Sequence, residues 1–267
     1  MISLLFTAAV LGNLQEDALR ISPVRDEMKK YFSKEVEVFG LKLYATKGCP
    51  DEKLLHAAGV LAQYLDNDED GKVDNSRVLK EMHKRRAAMV LAGTEREAER
   101  LFRRIPDRIR DGRALQDLYA EEIDPGSRER FDATLEEVLH LVTFAGYCEA
   151  YPDQFGLKPG TDLTKAMDIA RGGRFFEVPR KYPAGAWYTY DDETCDYGCM
   201  AVEYFYWALT TKLGAQSGRC DEIFHEWELC TPSQLQSGDL AVSELLASPE
   251  YKLPTVLPDG NYTGIMP

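Results

Sequence analysis

Thr134-Leu-Glu-Glu-Val-Leu-His-Leu-Val-Thr-Phe-Ala-Gly146 is the stretch on which the reading of this chain turns. Its apolar residues recur at helical spacing, and residues i and i+4 of a helix lie one above the other on a single face. Glu136 and His140 therefore share a face and can hold one ion, with Glu137 beside them to polarise water. Thr134 is placed to cap this helix, and Glu137, three residues on, to complete a capping box. Capping accounts for Glu137 without any chemistry. It leaves His140 unexplained, in the helix interior among Leu139, Leu141 and Val142. A lone interior histidine is more often a hydrogen-bonded core residue than a ligand. A carboxylate on its face changes that balance, because a buried carboxylate needs a cation or a strong donor.

A second stretch, Tyr197-Gly-Cys-Met-Ala-Val-Glu-Tyr-Phe-Tyr-Trp-Ala-Leu209, holds Glu203 as an isolated carboxylate in an apolar and aromatic run. A helix over 198–213 carries Glu203 into the core, where an unpaired charge costs several kcal/mol. A partner is expected: an ion shared with His140, or an arginine such as Arg171 or Arg174. A place at the rim of the aromatic face is the remaining reading.

The pentad Glu-Glu-Val-Leu-His followed by the later Glu-Tyr-Phe-Tyr-Trp-Ala-Leu helix resembles the zincin metallopeptidases, specifically the glutamate-zincin branch and its lethal-factor-like members. In that branch HExxH supplies two ligands and the general base, and a glutamate on a later helix supplies the third ligand. By position, the resemblance puts Glu136 where the first histidine ligand would stand and Glu137 at the catalytic base. His140 matches the second histidine ligand and Glu203 the third ligand. It implies a zincin-like fold and metal-dependent peptide hydrolysis with Zn²⁺ or another divalent metal. Glu136 is a departure with consequences. Two carboxylates and one neutral imidazole leave the first shell of a Zn²⁺ site formally neutral, so bound water is less acidic than in a two-histidine site. An oxygen-rich set also drifts towards Mn²⁺, Ca²⁺ or Mg²⁺. Altered or lost hydrolysis is the expectation. The alternative is a non-catalytic extracellular binding or matrix protein on a degenerate zincin scaffold.

Asp66-Asn-Asp-Glu-Asp-Gly-Lys-Val-Asp74 matches the first nine positions of an EF-hand-like calcium loop. Asp66, Asp68, Asp70 and Asp74 stand at the carboxylate positions and Lys72 at the one that offers a backbone carbonyl. Gly71 allows the sharp turn. Arg77 stands where a bidentate glutamate would close the loop, so Ca²⁺ binding here needs a closing ligand from elsewhere. A bare acidic turn is the bland alternative.

The chain has 267 residues, enough for one sizeable core or two modest lobes, and its 44% apolar and 29% charged residues are ordinary for a folded protein. A net charge of −13 argues against nucleic acid and against anionic membranes as partners, and fits cation binding or a peptide or protein ligand of basic character. Residues 2–12 form an apolar run too short to span a bilayer, so no membrane insertion is expected. The run resembles the core of a secretory signal, with a buried N-terminal segment as the rival. The sequon Asn261-Tyr-Thr263 and the six cysteines Cys49, Cys148, Cys195, Cys199, Cys220 and Cys230 agree with an extracellular location. Six can pair completely, and their spacings contain no CxxC pair for a zinc cluster.

The fold class expected is α+β with helix dominant, zincin-like, with an acidic calcium-type loop. Strand is read over 35–46 around Gly40, helix over 51–65, an acidic loop over 66–75, a short strand at Ala88–Ala92 and a charged helix over Arg96–Ile105 with local ion pairs. The polar segment 106–133 reads as a link between lobes. Loop-rich chain over 150–190 surrounds a short helix, Leu163–Arg171, and further helices are expected at Asp221–Leu229 and Leu235–Ala247. This divides the chain into a signal segment (1–12), an α/β lobe with the acidic loop (13–120) and a zincin-like helical lobe with a disulfide-rich end (121–267).

Overall fold

Val36, Val38, Leu41, Leu43 and Ala45 fall at alternate positions on either side of Phe39-Gly40, a period of two that gathers them on one face of a hairpin in the main core. In the computed structural model, which describes residues 19–126 and 131–266, β1 (Ser22–Pro23) pairs antiparallel with β2 (Lys34–Val38). The chain then turns into β3 (Leu41–Ala45), with Val38 opposite Leu41. Phe39 and Gly40 have φ of 47° and 79°, as a two-residue turn of the type that matches strand twist requires. The signal-like segment 1–12 lies outside the described residues.

β4 (Ala88–Ala92) pairs parallel with β3, and β5 (Leu115–Tyr119) parallel with β4. The result is a five-stranded mixed sheet in the order β1-β2-β3-β4-β5. Parallel neighbours need crossovers. The first runs through α1 (Asp51–Leu65), the acidic loop and α2 (Ser76–Lys84); the second runs through α3 (Glu95–Phe102). Every residue of β4 is buried, as expected of a central strand covered on both faces. Leu43, Met89 and Leu91 face Leu54, Ala58 and Leu61 of α1 in the main core. Tyr44, Ala88 and Val90 point the other way, into a smaller core with Met28, Phe32, Leu101 and Ile109.

The main core continues into the site helix (Thr134–Val142) and the aromatic helix (Tyr197–Lys212), through Val138, Leu139, Tyr204, Phe205 and Leu209. Fully burying side chains of this size contributes roughly 1.5–3 kcal/mol each. The fold is thus mixed α/β, with helices outnumbering strands. Among the described residues no helix is long and apolar enough to cross a membrane.

Three expectations are corrected. The polar segment 106–133 contains β5, in which only Leu118 is fully buried because it is an edge strand. Asp221–Leu229 is helical only over Cys220–Ile223; a turn over 224–226 follows, and the Cys220–Cys230 disulfide and an isolated bridge between Trp227 and Tyr188 hold the rest out of the helix. Leu235–Ala247 is two helices, Pro232–Gly238 and Leu240–Ala247, broken at Asp239, whose carboxylate caps the second. The cysteines agree with the reading of up to three disulfides: Cys195–Cys199 and Cys220–Cys230 are paired, and Cys49 and Cys148 are free and buried.

The C-terminal tail crosses α1 and seals the acidic loop. A Cβ at Gly59 would lie 2.0 Å from the Gly260 carbonyl oxygen, so only glycine permits that approach. Gln63 donates to the Asp259 carboxylate, and the Tyr262 hydroxyl donates to Asp66.

Candidate metal centre

Asp132, not Thr134, caps the site helix. Its carboxylate accepts from the Thr134 N–H (3.1 Å) and bonds the His56 ring (2.6 Å), which ties the helix start to α1. One turn on, the Tyr64 hydroxyl donates to the Leu135 carbonyl (2.8 Å). The helix continues beyond Val142 through a π-helical turn, Thr143–Tyr147, a local widening often found at functional sites. Glu137 is not part of a capping box. Its Oε2 accepts from the Gln116 amide of β5 (2.5 Å).

The aromatic helix is buried along nearly its whole length, which agrees with apolar residues on every side of it. Asp196 caps it through the Cys199 N–H (2.9 Å), and the Cys195–Cys199 disulfide closes its first turn. The Tyr188 hydroxyl donates to the Met200 carbonyl (2.7 Å) and the Tyr204 hydroxyl to Asp239 (2.6 Å). These anchors fix the rotation of the helix and so the direction of Glu203.

Glu203 meets His140. Its Oε2 lies 3.4 Å from His140 Nε2, while His140 Nδ1 lies 3.6 Å from Glu137 Oε2. Glu136, His140 and Glu203 each offer one ligand atom, and these lie within 4.8 Å of one another. His140 and Glu203 are only 6% and 8% exposed. His140 Nε2 has no hydrogen-bond partner among the described residues. A buried nitrogen left without a partner and faced by two carboxylates is the arrangement a divalent cation satisfies, so the donor set fits a metal ion. Neither arginine considered for Glu203 reaches it: Arg171 donates to the Phe175 carbonyl and Arg174 to Asp168.

The electrostatics carry the same demand. Burial, reinforced by the charges of Glu203 and Glu137, pushes the Glu136 carboxyl up to about 8, although His140 and a Tyr206 hydrogen bond oppose the shift. Burial disfavours a charged His140, yet the Glu203 carboxylate and the bond to Glu137 outweigh it and raise the imidazole well above its ordinary value. Without an ion, the cluster holds its charge balance with protons.

Glu136 also lines a cleft of 500 Å³ walled by Phe131, Tyr190, Tyr206 and Trp207. Glu122 and Glu226 stand on the same cleft. Burial raises both carboxyls, and neighbouring acids add to it: Glu137 for Glu122, Asp191 and Glu203 for Glu226. Asp191, His225 and Glu226 form a second set of ligand atoms within 4.8 Å of one another. They meet because 187–189 runs alongside 226–228, with Thr189 N–H donating to Glu226 O and Glu228 N–H to Trp187 O.

Sequence reasoning placed Glu136, Glu137, His140 and Glu203 together, and they are together. It missed Gln116, hidden in a segment read as a link, and Asp191, which joins His225 only through that long-range pairing. Tyr190, in the aromatic-acidic run Trp187–Asp192, stands on the wall of the cleft.

The acidic loop brings Asp66, Asp68 and Asp70 within 4.8 Å. Asp74 turns back to accept from the Asn67 N–H (2.8 Å), and the Lys72 ammonium lies 3.2 Å from Asp70. Asp66 accepts from the N–H groups of Asp70 and Gly71. Arg77 leaves the loop to donate to the Ala150 carbonyl and stack on Tyr151.

Comparison with protein-family models, with curated proteins and with solved structures returns no match for this chain.

Proposed function

We propose that this chain is a secreted, metal-dependent peptide hydrolase of divergent zincin type, with Glu136, His140 and Glu203 as the ion's ligands. The observation that carries the reading is His140 Nε2, buried between two helices without a well-formed hydrogen bond and with Glu203 Oε2 at 3.4 Å. A bound divalent ion would supply Lewis acidity behind Glu136, the one of its three ligands that lines the cleft. Glu137 holds and moves the proton in this reading. Its carboxylate is within reach of the His140 ring and is kept in place by the Gln116 amide. Phe131, Tyr190 and Trp207 exclude water from a peptide laid along the cleft. The neutral three-ligand set argues for slow hydrolysis and for an ion that accepts oxygen ligands. Two disulfides are compatible with an oxidising compartment, and Ca²⁺ at Asp66, Asp68 and Asp70 would add to a loop already closed by its own backbone and by Tyr262.

One observation favours a second reading. Glu137 already accepts from Gln116 and neighbours His140 Nδ1, the position of a group that orients a ligand imidazole. In a non-catalytic metal-dependent binding protein on the same scaffold, that would be its whole role.

Metal analysis of the purified chain, followed by cleavage assays on a basic peptide with wild type, Glu137→Gln and Glu203→Ala, separates the two. The hydrolase reading expects a bound divalent ion in wild type and in Glu137→Gln, with cleavage only in wild type. Bound metal with no cleavage in any of the three leaves the binding protein; equal cleavage in all three eliminates both roles for these residues.

A further inference from the structure

A chain of net charge −13 would be expected to spread its few cations among many acids. On the sheet face opposite the site helix it does the reverse. Lys29, Lys30, Lys47, Arg100 and Arg104 surround a concavity of 500 Å³. All five are exposed, and none forms an ion pair among the described residues.

Three segments build it. Lys29 and Lys30 are the last turn of the 3₁₀ segment Glu27–Lys30, held on the sheet by Met28 in the smaller core. Lys47 follows β3 directly. Arg100 is in the last turn of α3 and Arg104 in the turn that follows it, and Leu101 and Ile105 pin that end to the same core. The charges of α3 were expected to form local pairs. Arg103 does so with Glu99 at 3.7 Å, whereas Arg100 and Arg104 do not. Glu97 is the one carboxylate in the lining, and it is committed to the backbone, accepting from the Gly93 N–H at 2.8 Å.

Five like charges around a single carboxylate leave a net excess of four, and the core beneath fixes the segments that carry them on one rim. We propose that this concavity is a binding site for a compact anion bearing several phosphate or sulfate groups. Guanidinium forks and ammonium groups match the oxygens of both. The volume and the number of cations exceed what one phosphate uses, which selects a multivalent ligand. The strong negative charge of the rest of the chain disfavours a long polyanion that would have to run beyond the concavity. The site is independent of the metal centre and does not rest on the hydrolase reading.

The test is calorimetric titration of the metal-depleted full chain with inorganic triphosphate and, separately, with sucrose octasulfate, at about 0.15 M salt. Saturable binding of either anion is expected, and which one binds assigns phosphate or sulfate. The variant K47E/R100E/R104E should bind at least about tenfold more weakly. Lys29→Gln with Lys30→Gln, on a different segment, should weaken binding in the same direction, and circular dichroism checks that both variants are folded. Absence of binding to both anions up to about 1 mM, or equal affinity in wild type and both variants, would overturn the proposal.

Discussion

The chain gathers acidic groups in two places, and they solve opposite problems. The loop at Asp66, Asp68 and Asp70 satisfies its carboxylates from within and from the tail: backbone N–H groups of Asp70, Gly71 and Lys72 donate to them, as does the Tyr262 hydroxyl. The cluster of Glu136, His140 and Glu203 is drawn from two helices distant in the chain and leaves His140 Nε2 without a well-formed hydrogen bond, its acceptor Glu203 standing off at 3.4 Å. A contiguous, half-exposed loop is cheap to complete, because water and its own backbone are at hand. A buried cluster has neither, and meets its demand with protons or with an ion. The lesson is that density of carboxylates in sequence is a poor guide to where a cation is required, and unmet hydrogen-bonding capacity in the core is a better one.

The largest effect that sharpens this contrast is expected from Glu203→Ala. It should lower affinity at the buried centre by more than about 100-fold, beyond what loss of an outer-shell group produces. Asp68→Ala should leave that affinity unchanged. Isothermal titration with Zn²⁺ and Mn²⁺ measures both, and equal losses in the two variants would erase the distinction. Next comes Gln116→Ala, which frees Glu137 and through it the His140 ring; a loss of about 10–100-fold in metal affinity is expected, read in the same titration.

On the loop side the effects fall on stability. Tyr262→Phe removes a hydrogen bond to the Asp66 carboxylate, and a cost of about 1–2 kcal/mol is expected in urea unfolding of the metal-free chain. If the loop depended on a cation instead, this substitution would be silent without metal. The smallest effect is at Asp132. Burial alone would raise its carboxyl, but the bonds to His56 and Thr134 hold it below the ordinary carboxylate value. A folded-state value below the unfolded one means that its stabilisation is complete above the ordinary carboxylate range. It is lost as pH falls through that range and below it. Asp132→Ala should cost about 1 kcal/mol at neutral pH through the lost cap and should flatten the acid limb of the stability profile.

Much of the frame was legible because it follows local periodicity. The hairpin about Gly40, α1 from Asp51 to Leu65, β4 and the aromatic helix were all readable from spacing and burial pattern. The i,i+4 spacing of Glu136 and His140 needed only a helix, and Glu203 stood out as one acid in an apolar run. What sequence hid is held by partners far along the chain. β5 is an edge strand whose Gln116 and Asp117 read as loop until β4 lies beside them. The segment 221–229 contains helical periodicity, but the Cys220–Cys230 bridge and the Tyr188–Trp227 pairing override it. The capping residue was misread by two positions, because Asp132 is chosen by His56 on another helix.

The claim on which the rest depends is that one ion is shared by the two helices. X-ray absorption at the metal edge tests it directly, on chain reconstituted with one equivalent of Zn²⁺. The predicted spectrum has oxygen and nitrogen ligands at about 2.0–2.2 Å with the outer-shell scattering of a single imidazole, which His140→Ala removes. A spectrum without imidazole scattering, or one unchanged in His140→Ala, would contradict it.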